Sequence, residues 1–349
     1  MQVKFIDFPK QYRKYQSEID GAISRVLNSG RLILQKEVEE FEEKLANYVG
    51  TKYAIGVNSG TDALFLSLKL AGVKQGDEVI TVGHKFHATV EAIVWNGAKP
   101  VLVDVRNDSL MDIGKVYAAI TDKTTAVIPV HLMGDMVNLF PFIDTIPTHI
   151  KVIEDACQAL GASEVGKKAG SWGLAGCFSF YPAKILGAYG DAGAVTTNDE
   201  ALANELKNMR NHYKYNPGKY GFNSRLDNLQ AAILSVKIDH VDEMIARRAE
   251  IAKMYDKGLT TEVLIPTQRE GRVYQDYIIR TNQRDALAEF LKESGIETMK
   301  NDYHFPDDLP KPDWTNVLES QTLRLPCNDV LEDKEVNYVI DCVNAFFEK

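Results

Sequence analysis

The sequence predicts an α/β fold in which helices cover both faces of a mostly parallel central sheet. From about residue 53 to residue 210, short apolar segments alternate with segments of helical periodicity. The apolar segments are hydrophobic along their whole length, which is typical of parallel strands buried on both faces. A chain of 349 residues is long enough for this domain and a smaller one beside it.

Two helices are predicted before the sheet, over residues 12–28 and 36–49, because apolar side chains recur there at helical spacing. Residues 52–73 then form a strand, a turn and a helix, since the capping residues Asn58 and Ser59 precede an apolar helical segment. Six further strands are predicted, in segments 77–83, 99–105, 125–134, 151–160, 175–181 and 192–198. Helices between or after them are predicted at 87–98, 114–120 and 199–212.

A second, smaller unit is predicted near the C-terminus. The helical stretch 225–259 leads away from the sheet, and the chain beyond it mixes the strand-like segments 273–281 and 322–326 with two amphipathic helices. We therefore predict a large α/β domain over residues 1–240, which includes the N-terminal helices, and a smaller α+β domain over residues 241–349.

The composition predicts a cytoplasmic protein that binds neither nucleic acid nor membrane. The net charge is −9 with a pI near 5.4, whereas nucleic-acid-binding domains are usually basic. No apolar run is long enough to cross a bilayer, and the charged N-terminal segment differs from a signal peptide. The four cysteines lack CxxC spacing, so we expect reduced thiols and no metal site.

One lysine, Lys184, occupies an unusual segment, FSFYPAKILGAYGDAGAV. Glycines 187, 190 and 193 give the spacing GxxGxxG, which does not match the GxGxxG of dinucleotide-binding loops. Taken alone, a lysine is most often a solvated surface residue. Lys184, however, lies just past an apolar run, where a solvated side chain is not expected.

Polar or aromatic clusters follow several predicted strands, and the carboxyl ends of parallel strands share one edge of a sheet. The clusters are NSGTDAL, GHKFHAT, VHLMG, EDACQA and FSFYPAK. Taken singly, the first could be a capped turn, Asp155 a structural carboxylate and Phe86 a packing residue. Together with Lys184, they supply a phosphate-binding helix start, an aromatic platform, a carboxylate and an amine. Pyridoxal phosphate requires these groups, because a lysine binds its aldehyde and an aspartate keeps its ring nitrogen protonated.

This interpretation sets two further expectations for the lysine segment. Desolvation or a neighbouring cation should lower the pKa of Lys184 from the ordinary value of about 10.4. The three glycines that follow should allow close approach of cofactor and backbone.

Four segments of the chain resemble the signature segments of DegT-type sugar aminotransferases, which are fold-type I pyridoxal phosphate enzymes: NSGTDAL, VIEDACQALGA, FSFYPAKILGAYGDAGAVTTND and RNHYKYNPGKYGFNSRLDNLQAAIL. The resemblance extends from about residue 4 to TLRLPCN near the C-terminus, in the same order and at similar spacing. The chain departs from the family at LILQKEVEEFE, where Gly-Pro is usual, at Ala183, where glycine is common, and at a shorter HFPDDLP region.

The resemblance implies a role for each matching residue. Lys184 forms the Schiff base with pyridoxal phosphate, Asp155 contacts the ring nitrogen, and Gln158 lies near the phenolic oxygen. Phe86 stacks on the ring. The phosphate is bound by Gly60, Thr61, Ser179 and, across a homodimer interface with shared active sites, Asn223. Candidates for substrate contacts are His131, Arg225 and His304, although a single histidine is more often structural.

The resemblance also implies the reaction, which is transfer of an amino group from L-glutamate to a nucleotide-linked keto sugar. The segment after Lys184 resembles that of enzymes acting on 3-keto sugars, whereas many 4-keto enzymes carry a Thr-Thr-Gly-Glu-Gly-Gly-like run. We therefore predict transfer to C3 of a dTDP- or UDP-linked 3-keto-6-deoxyhexose. The alternatives are transfer to C4 of a 4-keto-6-deoxy sugar and a non-catalytic regulatory homologue that binds pyridoxal phosphate. Dehydratase relatives replace the lysine with histidine, so Lys184 argues against that class.

Overall fold

A seven-stranded sheet lies at the centre of the computed structural model, which describes residues 1–265, 269–301 and 312–348. In chain order, the strands are β1 (Tyr53–Val57), β2 (Glu78–Val82), β3 (Lys99–Val103), β4 (Thr124–Val127), β5 (Lys151–Asp155), β6 (Ser163–Glu164), β7 (Lys167–Lys168), β8 (Ala175–Ser179), β9 (Gly193–Thr197), β10 (Tyr277–Arg280), β11 (Met299–Lys300) and β12 (Thr322–Leu325). The short β6 and β7 pair with each other outside the central sheet.

The strand order in the central sheet is β1-β9-β8-β5-β4-β2-β3. Neighbouring strands are parallel, except that β9 runs antiparallel to both β1 and β8. The central strands are apolar and fully buried, as at Ile80, Val127 and Ile153. The predicted, mostly parallel α/β sheet is therefore confirmed, because a strand covered on both faces must be apolar along its length.

Helices cover both faces of this sheet. In chain order, they are α1 (Phe8–Ser29), α2 (Lys36–Val49), α3 (Gly60–Leu70), α4 (His87–Trp95), α5 (Ile113–Ala119), α6 (Phe140–Ile143), α7 (Glu200–Met209), α8 (Asn228–Ile238), α9 (Val241–Gly258), α10 (Arg284–Glu293), α11 (Asp313–Gln321) and α12 (Asp333–Phe347). Successive residues of β8 point to opposite faces. Cys177 packs with α3, α4 and α7 on one face, and Phe178 packs with α1, α2 and α8 on the other.

The first helix begins at Phe8, four residues before the predicted start. The Asp7 side chain caps this helix, because its Oδ1 accepts the backbone N–H of Lys10 at 2.9 Å. Pro9 lies in the first turn, where a fixed φ favours helix initiation and a missing N–H costs nothing. Asp7 and Pro9 precede the apolar periodicity, so a prediction from periodicity alone placed the start of the helix too late.

The helical stretch predicted at 225–259 is divided into α8 and α9 at Asp239 and His240. Lys44 donates to Asp239 at 2.5 Å, and the ring centroids of His240 and Tyr15 are 4.7 Å apart. Contacts with α2 and α1 therefore hold the chain at this break. Helical periodicity alone does not reveal it, because the contacts come from residues about 200 positions away.

A second sheet, of three antiparallel strands in the order β10-β12-β11, lies in the C-terminal part of the chain. Helices α9, α10 and α12 pack around it through a core that includes Tyr255, Tyr277 and Leu323. Val3 joins this core and forms a bridge with Ile296. The arrangement is α+β, and the division of the chain at residues 240 and 241 stays a prediction.

Two findings limit the kinds of site that the described residues form. No helix within 1–265, 269–301 or 312–348 is long and apolar enough to cross a membrane. In the same ranges, no three or more His, Cys, Asp or Glu side chains are grouped so that they could hold a metal ion. The cysteines at 157, 177, 327 and 342 are free.

Candidate active site

A cavity of about 520 Å³ lies at the edge of the central sheet where its parallel strands end. Segments that follow β1, β2, β4, β5 and β8 line this cavity, and the antiparallel β9 begins beside it. The cavity brings together eight of the predicted site residues, which are Gly60, Thr61, Phe86, His131, Asp155, Gln158, Ser179 and Lys184. Residues predicted at the ends of separate parallel strands therefore share one cavity.

Lys184 lies on a turn after β8, and its partly exposed side chain lines the cavity. The backbone N–H of Lys184 donates to the carbonyl of Tyr181 at 2.8 Å. Desolvation by the surrounding protein lowers the pKa of Lys184, and the negative charges of Asp276 and Asp155 oppose this shift. A lowered pKa leaves more of the amine uncharged, which is the form that attacks an aldehyde.

Asp155 ends β5, and its carboxylate is held at two points. One oxygen accepts the Thr89 hydroxyl at 2.8 Å, and the other accepts the backbone N–H of Cys157 at 3.2 Å. The residue is 5% exposed and lines the cavity. A buried carboxylate with a fixed orientation is the group that keeps a pyridine nitrogen protonated, because it pairs with the positive charge on that nitrogen.

The turn between β1 and α3 presents the start of an 11-residue helix to the cavity. Ser59 caps this helix, and its Oγ accepts the N–H of Asp62 at 3.1 Å. Gly60 packs closely on β8, since a Cβ there would lie 2.7 Å from the Cβ of Ser179. The first N–H groups of a helix, here those of Gly60 and Thr61, carry partial positive charge. The turn therefore suits a phosphate group.

Phe86 and Gln158 complete this part of the cavity wall. Phe86 precedes α4, and its side chain is 50% exposed. The carboxamide oxygen of Gln158 accepts the backbone N–H of Met133 at 3.0 Å, which fixes the orientation of the amide. An exposed aromatic face and an oriented amide are suited to a flat, polar ring between them.

The described residues of the cavity fit pyridoxal phosphate on the chemistry of their groups. The anionic phosphate matches the start of α3, the ring nitrogen matches Asp155, and the aldehyde matches the amine of Lys184. The flat ring matches the exposed face of Phe86. Each group of the cofactor thus has a chemically suitable partner within one cavity.

His131 lines the cavity, but protein groups occupy both nitrogens of its ring. Nδ1 accepts the backbone N–H of Val137 at 3.1 Å, so Nε2 carries the proton and donates to Glu154 at 3.0 Å. The side chains of His131 and Glu154 are fully buried. Both ring nitrogens of His131 are therefore bonded to protein groups. The predicted substrate contact of this ring has no support from these contacts and stays a prediction.

The other predicted residues lie outside this cavity or outside the described residues. Asn223 is exposed, and Arg225 donates to Asn211 at 3.1 Å. The neighbouring Ser224 donates to Asp62 at 2.7 Å, so this loop is fastened to the first turn of α3. The position of His304 is in residues 302–311, which lie outside the described part of the chain.

The cavity also contains polar residues that the sequence analysis missed. Gln275 and Asp276 precede β10, and Arg324 lies on β12. Arg324 pairs with Asp276 at 3.2 Å, and both side chains are nearly buried. Charged residues inside the apolar segments YQDYIIR and TLRLP were the available signal, because burial of an unpaired charge is costly.

The glycines after Lys184 pack against other parts of the protein. A Cβ at Gly187 would collide with the carbonyl of Pro182, and one at Gly193 would collide with the backbone of Ser59. A Cβ at Gly190 would lie 2.9 Å from the amide nitrogen of Gln230. These contacts with protein atoms explain why each position is a glycine, and close approach of the cofactor to this backbone stays a prediction.

The parallel sheet and the contents of its cavity define a pyridoxal-phosphate-dependent aminotransferase. Residues 13–344 match the DegT/DnrJ/EryC1/StrS aminotransferase family, and the chain belongs to this family. Enzymes of the family are sugar aminotransferases, as the resemblance implied. The match covers both the central sheet and the smaller C-terminal sheet.

Relatives cover nearly the whole chain. A dTDP-3-amino-3,6-dideoxy-alpha-D-galactopyranose transaminase from Aneurinibacillus thermoaerophilus is 40% identical in an alignment that covers 99% of this chain and 99% of that protein. A protein from Geobacillus stearothermophilus named a pleiotropic regulatory protein is 39% identical, and this alignment also covers 99% of each chain. The solved structure of DesV from S. venezuelae is 36% identical with a TM-score of 0.93, and covers 100% of this chain and 99% of DesV.

Proposed function

We propose that this enzyme transfers the amino group of L-glutamate to C3 of a nucleotide-linked keto sugar, specifically a dTDP- or UDP-linked 3-keto-6-deoxyhexose. The observation that carries the proposal is that Lys184, Asp155 and the start of α3 share one cavity. The relative from Aneurinibacillus thermoaerophilus, whose name specifies a 3-amino sugar, supports C3 as the position.

The residues of the cavity have distinct tasks in this reaction. When bound, pyridoxal phosphate supplies an electron sink that stabilises negative charge on the substrate carbon. Asp155 keeps the ring nitrogen protonated, because its carboxylate is buried and oriented by Thr89 and the Cys157 N–H. Lys184 holds the cofactor between turnovers and, once released, carries a proton to and from the reacting carbon. Its lowered pKa favours both tasks.

Arg324 supports glutamate as the amino donor. Arg324 lines the cavity and contributes a guanidinium group, whose two parallel N–H groups match the geometry of a carboxylate. The carboxylate of Asp276 orients this guanidinium at 3.2 Å. Nη2 of Arg324 also donates to the carbonyl of Lys300 at 3.3 Å, so a carboxylate of the donor would share this guanidinium with protein groups on the side of the cavity formed by β12.

A homodimer with shared active sites is part of the proposal. Asn223 is exposed and does not line the cavity of its own subunit. Ser224 accepts the N–H of Asn58 at 3.2 Å and donates to Asp62, which gives the loop a fixed position beside α3. Such a loop is suited to reach the phosphate in a second subunit, as the resemblance implies for Asn223. We also propose a cytoplasmic location, where free thiols stay reduced.

The proposed reaction is tested by product analysis. Purified enzyme with pyridoxal phosphate is given ¹⁵N-labelled glutamate and a panel of 3-keto and 4-keto nucleotide sugars, and mass spectrometry detects the amino sugar. We expect label only in a 3-amino product. Label only in a 4-amino product would retain the aminotransferase and reject C3.

The control is Lys184→Ala, which should lose the visible absorption of the enzyme-bound cofactor and lower turnover by at least about 10²–10⁴-fold. A regulatory protein that does not transfer amino groups remains the second candidate, since one relative has a regulatory name. Binding of pyridoxal phosphate without labelling of any sugar would favour that candidate. Normal turnover of Lys184→Ala would contradict the assignment of the lysine.

A further inference from the structure

The backbone around Lys184 depends on side chains from distant elements. Residues 181–190 form no helix or strand, so their peptide groups need other hydrogen-bond partners. Three side chains from distant elements supply some of them, which are those of Gln275, Gln230 and Lys237. They do not act at the same place, because only Gln275 bonds to both neighbours of Lys184.

The carboxamide of Gln275 spans the lysine. Its oxygen accepts the N–H of Ile185 at 2.9 Å, and its nitrogen donates to the carbonyl of Ala183 at 3.0 Å. One planar group thereby fixes the peptide groups on both sides of Lys184. The direction in which the lysine side chain leaves the backbone follows from these two contacts, because the peptide planes set φ and ψ.

Gln275 is itself held rigidly. Arg248 donates to the carbonyls of Tyr274 and Gln275, in each case at 3.1 Å. The backbone of Gln275 lies so close to Gly134 that a Cβ at that glycine would collide with it. Gln275 is 9% exposed and also borders the cavity. Because the backbone of Gln275 is fixed and its side chain is nearly buried, its carboxamide meets the lysine segment at a defined place.

We propose that Gln275 is a positioning residue for the amino transfer, whose carboxamide holds the amine of Lys184 at its working place in the cavity. The inference rests on the proposed function and adds a residue to it. Only a carboxamide of this length meets both contacts, since one partner needs an acceptor and the other a donor. Glutamate would place an oxygen against the carbonyl of Ala183, and methionine would lose both contacts.

The chain provides a matched control in Gln230. The carboxamide of Gln230 accepts the N–H of Tyr189 at 2.9 Å and donates to the carbonyl of Tyr189 at 3.3 Å. It therefore fastens the same irregular segment by the same chemistry, but five residues beyond Lys184. Substitution of either glutamine should loosen the segment, whereas only substitution of Gln275 should displace the amine of Lys184.

The test compares Gln275→Met, Gln275→Glu and Gln230→Met in the full-length protein. After pyridoxal phosphate is removed, the rate at which an acylating reagent labels Lys184 is measured against pH by peptide mass spectrometry. The reloaded enzymes give kcat and the KM for glutamate. We expect Gln275→Met to titrate Lys184 at higher pH, because a displaced amine is better solvated, and we expect both Gln275 variants to lose about 10- to 100-fold in kcat.

In both Gln275 variants, KM for glutamate should change by less than about threefold, since the binding groups remain. Gln230→Met should keep the wild-type titration of Lys184 and the wild-type kcat. A wild-type titration of Lys184 in Gln275→Met, which adds no charge, would overturn the proposal, as would an equal shift in Gln230→Met. The labelling result holds whichever sugar is the substrate, so failure of the proposed function is recognised separately, by wild-type enzyme that transfers no amine.

Discussion

At the scale of single residues, location rather than a shifted pKa distinguishes Lys184, the proposed catalytic lysine. Burial lowers the pKa of Lys237 to about 8 and also lowers that of Lys184. Lys237 is a buried residue of α8, and it donates to Gln11 of α1 at 3.1 Å and to the carbonyl of Gly187. Lys184 lines the cavity beside Asp155. A perturbed lysine is therefore a candidate for chemistry only where a ligand has access to it.

The buried Lys237 gives a prediction for stability against pH. Its pKa is about 8 in the folded protein and near 10.5 in the unfolded chain. Between these values the unfolded chain binds more protons, so the free energy of unfolding should rise with pH. From pH 7 to pH 9.5 this lysine should add about 2 kcal/mol, a rise that Lys237→Met should lack. Urea unfolding at several pH values measures it, and equal pH slopes for both proteins would contradict it.

At the scale of elements, the antiparallel β9 supports the turn between β1 and α3, which is the candidate phosphate site. Because β9 runs against its neighbours, it begins at the edge where the parallel strands end. Its first residue, Gly193, pairs with Val57 and Ser179, and its backbone lies against Ser59. The turn that starts α3 is thus fixed between β9 and β8. Because β9 runs in the opposite direction, its first residues lie at the site, whereas the parallel strands place their last residues there.

Gly193→Ala should disturb this contact. The added Cβ would collide with the backbone of Ser59, which cannot move without shifting the start of α3. We expect a loss of about 1–3 kcal/mol in the free energy of unfolding and weaker binding of pyridoxal phosphate, measured by urea unfolding and fluorescence titration. The control Gly21→Ala lies in α1 and should be neutral or stabilising by about 0.5–1 kcal/mol. Unchanged cofactor affinity in Gly193→Ala would refute the structural role of this contact.

At the scale of the whole molecule, distant parts of the chain meet in one cavity. The central sheet contributes Asp155, the segment after β8 contributes Lys184, and the C-terminal sheet contributes Arg324. Phe5 and Ile6, near the N-terminus, also line the cavity. Such a site forms only when all of these parts are packed together. In the proposed dimer, the loop of Asn223 would add a contribution from a second subunit.

Subunit mixing tests the shared site. Lys184→Ala and Asn223→Asp should each be inactive or nearly so, the first through loss of the amine and the second through repulsion of the phosphate. Unfolding and refolding of an equal mixture should restore about one quarter of wild-type activity, because half of the dimers would be mixed and each would have one intact site. Refolded mixtures that stay inactive, while wild-type enzyme recovers, would argue against a contribution from the second subunit.

The sequence by itself determined the α/β class and most of the cavity. Buried parallel strands require continuous apolar segments, and the residues after these strands must meet at one edge, so Lys184, Asp155 and the turn at Gly60 could be selected together. These signals are local, because they depend on the pattern of a few neighbouring residues.

Only the tertiary structure decided which distant side chains act on those residues. Gln275 bonds to Ile185, beside Lys184, from 90 positions away, and Arg324 on β12 pairs with Asp276, which precedes β10. The contact of His131 with Glu154, and the break between α8 and α9, arise in the same way. Such contacts have no period in the sequence, because hydrogen bonds and charges find their partners only when the packed core has brought the segments together.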